Sequence, residues 1–221
     1  MKQYPFIPYS KETYSEEEVL KRSKLHFEYF DKRRTVREFS DKPIPEEVIN
    51  NIILSASTAP SGAHKQPWTF CVVTNSEIKK QIREAAEKEE FDSYNGRMPA
   101  DWLEDLEPLG TDWKKPFLET APALIIIFKK SYNLLNEKKT NNYYVTESVG
   151  IACGFLLEAI HYCGLVALTH TPSPMNFLTK VLNRPENEKP FLLVPIGYPL
   201  EVTMVPDIHR KQLNDIAIWY K

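Results

Sequence analysis

The sequence predicts an α+β fold, one domain in which a sheet packs among helices. Three observations carry that prediction. "ALIIIF" (Ala123 to Phe128) is apolar at every position, the pattern of a strand covered on both faces. "TESVGIACGFLLEAIHYCG" (Thr146 to Gly164) is apolar nearly all round, the pattern of a buried central helix. Helical and extended segments also mix without the regular rhythm of βαβ units.

Each element has its own justification. "SEEEVLKRSKLHFEYF" (Ser15 to Phe30) opens with a serine N-cap and three glutamates in its first turn, where the helix dipole favours negative charge. "PEEVINNIILSAS" (Pro45 to Ser57) puts proline at the first helical position and Val48, Ile49, Ile52, Ile53 and Ala56 on one face. "WTFCVV" (Trp68 to Val73) reads as a half-buried strand. "SEIKKQIREAAEKEE" (Ser76 to Glu90) reads as an amphipathic helix with Ile78, Ile82, Ala85 and Ala86 inward. In the central helix, Gly150 and Gly154 form a face that another backbone can approach closely. A strand "LVALT", a helix near "MNFLTKVLN" and a strand "FLLVPIG" follow. The tail ends in Ile216, Ile218, Trp219 and Tyr220 with little chain left to cover them.

Composition bounds the function. The chain has 221 residues, 42% hydrophobic and 26% charged, values ordinary for a globular protein. A net charge of -2 gives no reason to expect a nucleic-acid partner. Cys71, Cys153 and Cys163 lie in apolar contexts without a CxxC pair, so buried thiols in a reducing compartment are expected. The opening "MKQYPFIPYSKETYSEEE" lacks the apolar centre of a signal peptide, and the longest apolar run is too short to cross a bilayer. A cytoplasmic protein without membrane attachment is the expectation. Neither a metal-ligand spacing nor a Ser-His-Asp constellation is present, so no metal site is expected.

Four stretches carry more chemistry than their neighbours. Lys88 to Trp113, "KEEFDSYNGRMPADWLEDLEPLGTDW", is long and charged with poor helical periodicity, the mark of a lid, a binding loop or disorder. "KRRTVREFSDKPIP" (Lys32 to Pro45) sets arginines at 33, 34 and 37 around Thr35. That pattern suits either a solvated basic turn or an anion site, since guanidinium forks and a hydroxyl match a phosphate dianion. "TAPSGAHKQPWTF" (Thr58 to Phe70) is more specified than a turn needs. His64 reads as a capping or packing residue, and Pro67 and Trp68 as strand entry. In "LTHTPSP" (Leu168 to Pro174), Thr169 and Thr171 are by default turn hydroxyls.

Taken together, "RRTVREFSDKPIP", "TAPSGAHKQPWTFCVV", "TAPALIIIF", "GLVALTHTP", "VPIGYP" and "VPDIHRK" resemble, in order, the nitroreductase superfamily of FMN flavoproteins. The resemblance spans about residues 20 to 220. Within it, "EEFDSYNGRM" followed by "TDWKKPFLETAP" is similar to the active-site lid of the iodotyrosine deiodinase family. One departure is the missing N-terminal membrane anchor of the animal members, which implies a soluble, bacterial-type form.

The resemblance implies a single nitroreductase-like domain over 1–221 with a central, mostly antiparallel sheet. It implies a lid at about 88–113, a dimer-embracing extension at about 200–221, and a homodimer that exchanges terminal segments. It implies FMN, with Arg33 and Thr35 on the phosphate, Arg34 shaping the turn, Arg37 at the N1/O2 edge, and Arg210 a further phosphate ligand. Pro60, Ser61 and Gly62 run beside the ring, where glycine lets backbone come close to a flat ligand. Thr169 lies nearby, and Thr171, the catalytic hydroxyl, donates to flavin N5 and favours one-electron chemistry. The implied reaction is reductive dehalogenation of iodotyrosines to tyrosine and halide. Ala63 N–H would hold the phenolic oxygen, Glu90 the ammonium and Lys115 the carboxylate, with Tyr94 hydrogen bonded to either group. Electrons would come from NAD(P)H through a reductase, or from a flavodoxin or ferredoxin. The alternatives are a nitro or quinone reductase using NAD(P)H, and a flavin-binding protein without turnover.

Overall fold

The computed structural model describes residues 4–136 and 138–221. The chain divides into two compact units, one ending at Arg33 and the other spanning Arg34–Lys221. The first holds helix α1 (Glu16–Asp31), with Ser15 Oγ accepting from Glu18 N at 3.3 Å as the N-cap pattern requires. Its apolar side chains Val19, Leu20, Leu25 and Phe27 are all exposed.

The second unit is built on a four-stranded antiparallel sheet in the order β1-β2-β6-β5. These are β1 (Trp68–Val73), β2 (Ala123–Lys130), β5 (Val166–Ala167) and β6 (Glu188–Gly197). The alternation of side chains along a strand sorts "ALIIIF" between two cores. Ala123, Ile125 and Ile127 face α2 (Glu46–Ser57) and α6 (Val145–Tyr162), meeting Ile49, Ile52, Ala56, Val149 and Leu156. Leu124, Ile126 and Phe128 face the other way, against Ile82 and Ala86 of α3 (Ser76–Asp92), Phe117 and Leu118 of α5 (Phe117–Thr120) and Leu178 of α7 (Asn176–Val181). Covering each of these side chains fully contributes about 1.5–3 kcal/mol, so truncating Ile126 would directly damage the core shared with α3, α5 and α7.

Three expectations need correction. The segment after Glu90 is mostly helical: α3 continues to Asp92, a π turn covers Ser93–Arg97, α4 runs over Ala100–Leu106, and a 3-10 turn over Glu107–Leu109. Its helices are short, start after Pro99 and contain Pro108, so no long apolar stripe marks them. Helix α6 is covered on one side only. Ser148, Val149, Ala152, Cys153, Leu156 and Ile160 are buried, whereas Ile151 and Phe155 are exposed and a Cβ at Gly150 or Gly154 would meet nothing. The described residues supply one layer against this helix and leave the other face open. The expected strand "LVALT" shortens to the two residues of β5, and a hairpin of β3 (Tyr132–Leu135) and β4 (Lys138–Asn141) was not expected, being lysine-rich and without alternation.

The tail begins anchored, because Arg34 Nη2 donates to the Pro206 carbonyl and Met204 N donates to Glu38 Oε2. A capping box of Gln212 and Asp215 starts the short helix α8 (Leu213–Ile216). Ile216, Ile218, Trp219 and Tyr220 beyond and within it remain exposed.

Candidate active site

Arg33 closes the first unit, its N–H given to the Phe30 carbonyl at 3.0 Å. In the second unit Thr35 bridges in parallel to Ala167, and Val36 N donates to the Ala167 carbonyl at 3.1 Å. The basic turn is thereby fixed along the edge strand β5, with Val36 and Phe39 buried and Arg37 half-buried. Burial lowers the pKa of Arg37, and the nearby Tyr94 partly offsets this. Among the described residues its guanidinium has no hydrogen-bond or ion-pair partner. A cation taken from water without an acceptor is costly, so this one is built for a ligand.

The end of α3 supplies the next group. Glu90 and Lys115, 9% and 3% exposed, pair at 3.5 Å between Oε2 and Nζ. Lys115 Nζ also donates to Thr111 Oγ1 at 3.2 Å and to the Asp112 carbonyl, and sits 5.5 Å from the Tyr94 ring centroid. Tyr94 OH donates to the Thr111 carbonyl at 3.3 Å. Burial raises Glu90 and lowers Lys115, and in each case the mutual attraction only reduces the shift. With this one long ion pair as its partner, the buried Glu90 carboxylate is left under-compensated. Lys115 is fixed from behind, where its N–H donates to Glu87 Oε1 at 2.7 Å.

The third piece leaves β5. His170 exchanges both backbone hydrogen bonds with Leu193 of β6, at 2.8 and 3.1 Å. Period-2 alternation then turns Thr169 and Thr171 outward, where both are exposed, and His170 inward, where it is 7% exposed. Its ring meets Phe117 edge-on at 5.5 Å. Burial, with the charges of Lys115 and Arg37, pushes its pKa down to about 3, and among the described residues its Nε2 has no hydrogen-bond partner. Reading "LTHTP" for its hydroxyls missed this residue; the alternation was the signal that would have found it.

The Pro60–His64 loop goes elsewhere. Gly62 N donates to Ser148 Oγ at 3.3 Å, and Ser61 Oγ accepts from Gln66 N at 2.9 Å. A Cβ on Gly62 would lie 2.7 Å from the Tyr143 carbonyl, so the glycine makes room for the turn that starts α6. Ala63 and His64 have φ of 49° and 52°, unfavourable for residues with a Cβ, and such strain gathers at binding sites. Among the described residues no hydrogen bond or ion pair links this loop to Arg37, Glu90, Tyr94, Lys115 or His170. Arg210 is exposed on the irregular stretch before α8.

Arg37, Glu90, Tyr94, Lys115 and His170 therefore form one electrostatic neighbourhood, whereas Thr171, next in the chain to His170, is exposed. A half-buried cation without an acceptor among the described residues fits an acceptor-rich, anionic cofactor such as FMN.

The nitroreductase family pattern matches residues 31–198. The chain is 64% identical to the iodotyrosine deiodinase of Haliscomenobacter hydrossis over the full length of both. It is 46% identical to the iodotyrosine deiodinase of Danio rerio, over 97% of this chain and 73% of that one. It is similar to the crystal structure of oxidized iodotyrosine deiodinase bound to FMN and 3-iodo-L-tyrosine, at TM-score 0.75 and 30% identity, covering 88% of this chain and 98% of that one.

Proposed function

This chain belongs to the nitroreductase family, and we propose that it removes iodide reductively from iodinated tyrosines with FMN as cofactor. The observation that carries the reading is the buried Glu90–Lys115 pair at 3.5 Å. An amino-acid zwitterion brings an ammonium and a carboxylate, which complement these two charges one for one; a simple aromatic acceptor brings neither.

FMN, when bound, supplies the two electrons that convert Ar–I and a proton to Ar–H and iodide. The residues do the rest. Glu90 accepts from the substrate ammonium, Lys115 donates to its carboxylate, and Tyr94 hydrogen bonds to either group. Ala63 N–H holds the phenolic oxygen and favours the keto tautomer, which makes the iodine-bearing carbon tetrahedral. Thr171 would donate to N5, and Arg37 would stabilise negative charge at the N1/O2 edge. Thr35, Arg33 and Arg210 would hold the phosphate, with Arg34 shaping the turn and Thr169 flanking the ring. Closing the lid excludes water and strengthens every one of these interactions.

The reading includes a homodimer, whose exposed α6 face and apolar tail provide the surface to be covered. Pro60, Ser61, Gly62 and Ala63 then serve a flavin at the subunit interface. Sedimentation of a folded, flavin-loaded monomer at micromolar concentration would contradict this part. Among the described residues no helix is long and apolar enough to cross a membrane. A cytoplasmic location and a reductase or flavodoxin-type electron donor complete the proposal.

The test is an anaerobic titration of the dithionite-reduced protein with 3-iodo-L-tyrosine, reading flavin oxidation, tyrosine and iodide together. Equal molar amounts of all three are expected. Reoxidation by nitroaromatics or quinones but not by iodotyrosine would favour a general reductase.

A further inference from the structure

One face of α3 carries a row of polar side chains, Lys79, Arg83, Glu87 and Glu90, spaced four, four and three residues apart. Tyr94 in the π turn continues the row after four more. Their partners run the opposite way along the segment from Thr111 to Ala121. Lys79 Nζ donates to the carbonyls of Ala121 and Glu119, both at 2.8 Å, and Arg83 Nε pairs with Glu119 Oε1 at 2.5 Å. Glu87 Oε1 accepts from Lys115 N at 2.7 Å. Glu90 then faces Lys115 Nζ at 3.5 Å, and Tyr94 OH reaches the Thr111 carbonyl at 3.3 Å. The row is an antiparallel zipper. Its two long rungs, at Glu90 and Tyr94, belong to the groups assigned above to the substrate zwitterion, and its short rungs are complete without a ligand.

Glu87 is the short rung next to the long ones. Arg83 Nη1 lies 3.6 Å from its Oε2, which leaves Oε1 for the Lys115 amide. We propose that Glu87 is a positioning residue for Lys115, its carboxylate tying the Lys115 backbone to α3 with or without substrate. The ammonium at the other end of that residue then meets the substrate carboxylate already in place. The division of labour matters. Glu87 binds main chain, so it fixes where the Lys115 side chain starts, while Glu90 faces the tip. A group held in place before binding costs less to order when the ligand arrives. The consequence for substrate rests on the zwitterion reading proposed above, whereas the bond from Lys115 to Glu87 does not.

The experiment uses the FMN-loaded protein and has two arms. The first measures hydrogen exchange of the Lys115 amide without substrate in wild type, Glu87→Ala, Glu87→Gln and Glu90→Gln. Exchange should be slow in wild type and Glu90→Gln, about tenfold faster in Glu87→Ala, and mostly restored to slow in Glu87→Gln, which keeps an acceptor. Equal exchange in wild type and Glu87→Ala would overturn the inference. The second arm titrates the same proteins with 3-iodo-L-tyrosine and 2-iodophenol. Glu87→Ala should weaken iodotyrosine binding about tenfold and leave iodophenol binding unchanged, with Glu87→Gln again recovering most of the loss. Equal weakening for both ligands would overturn the inference and leave Glu87 as a packing residue of α3. If Glu87→Ala folds poorly, the Lys115 amide proton resonance of wild type serves instead. A carboxylate acceptor should shift it downfield, and a position typical of a solvated amide would overturn the proposal equally. A wild type that does not distinguish the two ligands, with slow exchange at Lys115 intact, would count against the zwitterion reading alone.

Discussion

Glu188 and Glu90 are both buried carboxylates, 2% and 9% exposed, each facing a cation. Glu188 receives Arg184 Nε at 2.7 Å, Thr69 Oγ1 at 2.6 Å and Lys130 Nζ at 3.6 Å. Burial alone would raise its pKa, but the bonds from Arg184 and Thr69 outweigh it, and the carboxyl sits below its usual range. Glu90 has Lys115 Nζ at 3.5 Å, and there burial wins and the carboxyl sits above its usual range. The first cluster ties β1, β2 and β6 together and needs nothing more. The second is incomplete within the chain. Burial alone does not mark a binding site here; burial without enough partners does.

The largest effect should come from breaking the complete cluster. Glu188→Ala leaves Arg184 and Lys130 without their shared acceptor and should cost about 3 kcal/mol, read as a shift in urea denaturation. Glu90→Gln should cost under about 1 kcal/mol, because it removes a charge that burial already disfavours. Equal losses at the two sites would erase the distinction.

Trypsin offers a sharper view of the incomplete site. Arg97 ends the π turn and is held to Glu89 at 2.9 Å, so cleavage is expected to require the lid to open. At ten times its dissociation constant, 3-iodo-L-tyrosine should slow cleavage about tenfold, and 2-iodophenol should slow it far less. Equal protection would mean the lid does not sense the zwitterion.

The smallest effect, with the most informative sign, is on pH dependence. Glu188, held low, contributes stability that is present above its unfolded pKa and lost as pH falls through its folded pKa. Glu90, held high, contributes stability that is present below its unfolded pKa and lost as pH rises through its folded pKa. Acidification should therefore destabilise a Glu188→Gln protein less than wild type and a Glu90→Gln protein more. The differences should be on the order of 1 kcal/mol, since a tenfold change in proton affinity corresponds to about 1.4 kcal/mol. Urea midpoints measured from neutral to acid pH check both signs.

Much of this was legible in the residues. "ALIIIF" announced a strand covered on both faces, and the Ile49, Ile52, Ala56 stripe announced the face of α2. Helix α6 misled because an all-round apolar pattern does not say whether the second cover comes from the same chain. The lid misled because its short helices follow Pro99 or contain Pro108 and carry Asp101, Glu104, Asp105 and Glu107 on their surfaces. Glu90, Tyr94 and Lys115 stood out through their resemblance to a known lid. That Glu90 and Lys115 bond to each other was not readable, since the pairing depends on the fold of the 24 residues between them. His170 was hidden between two threonines whose hydroxyls drew the reading.

The most direct measurement titrates the FMN-loaded protein with 3-iodo-L-tyrosine and with 2-iodophenol, following flavin fluorescence in wild type and Glu90→Gln. Charge-assisted hydrogen bonds contribute about 1.5–3 kcal/mol, so wild type should bind iodotyrosine at least about tenfold more tightly, and Glu90→Gln should lose most of that preference. Equal affinities in wild type, or a preference that survives Glu90→Gln, would contradict the assignment of Glu90 and Lys115 to the amino-acid end of the substrate.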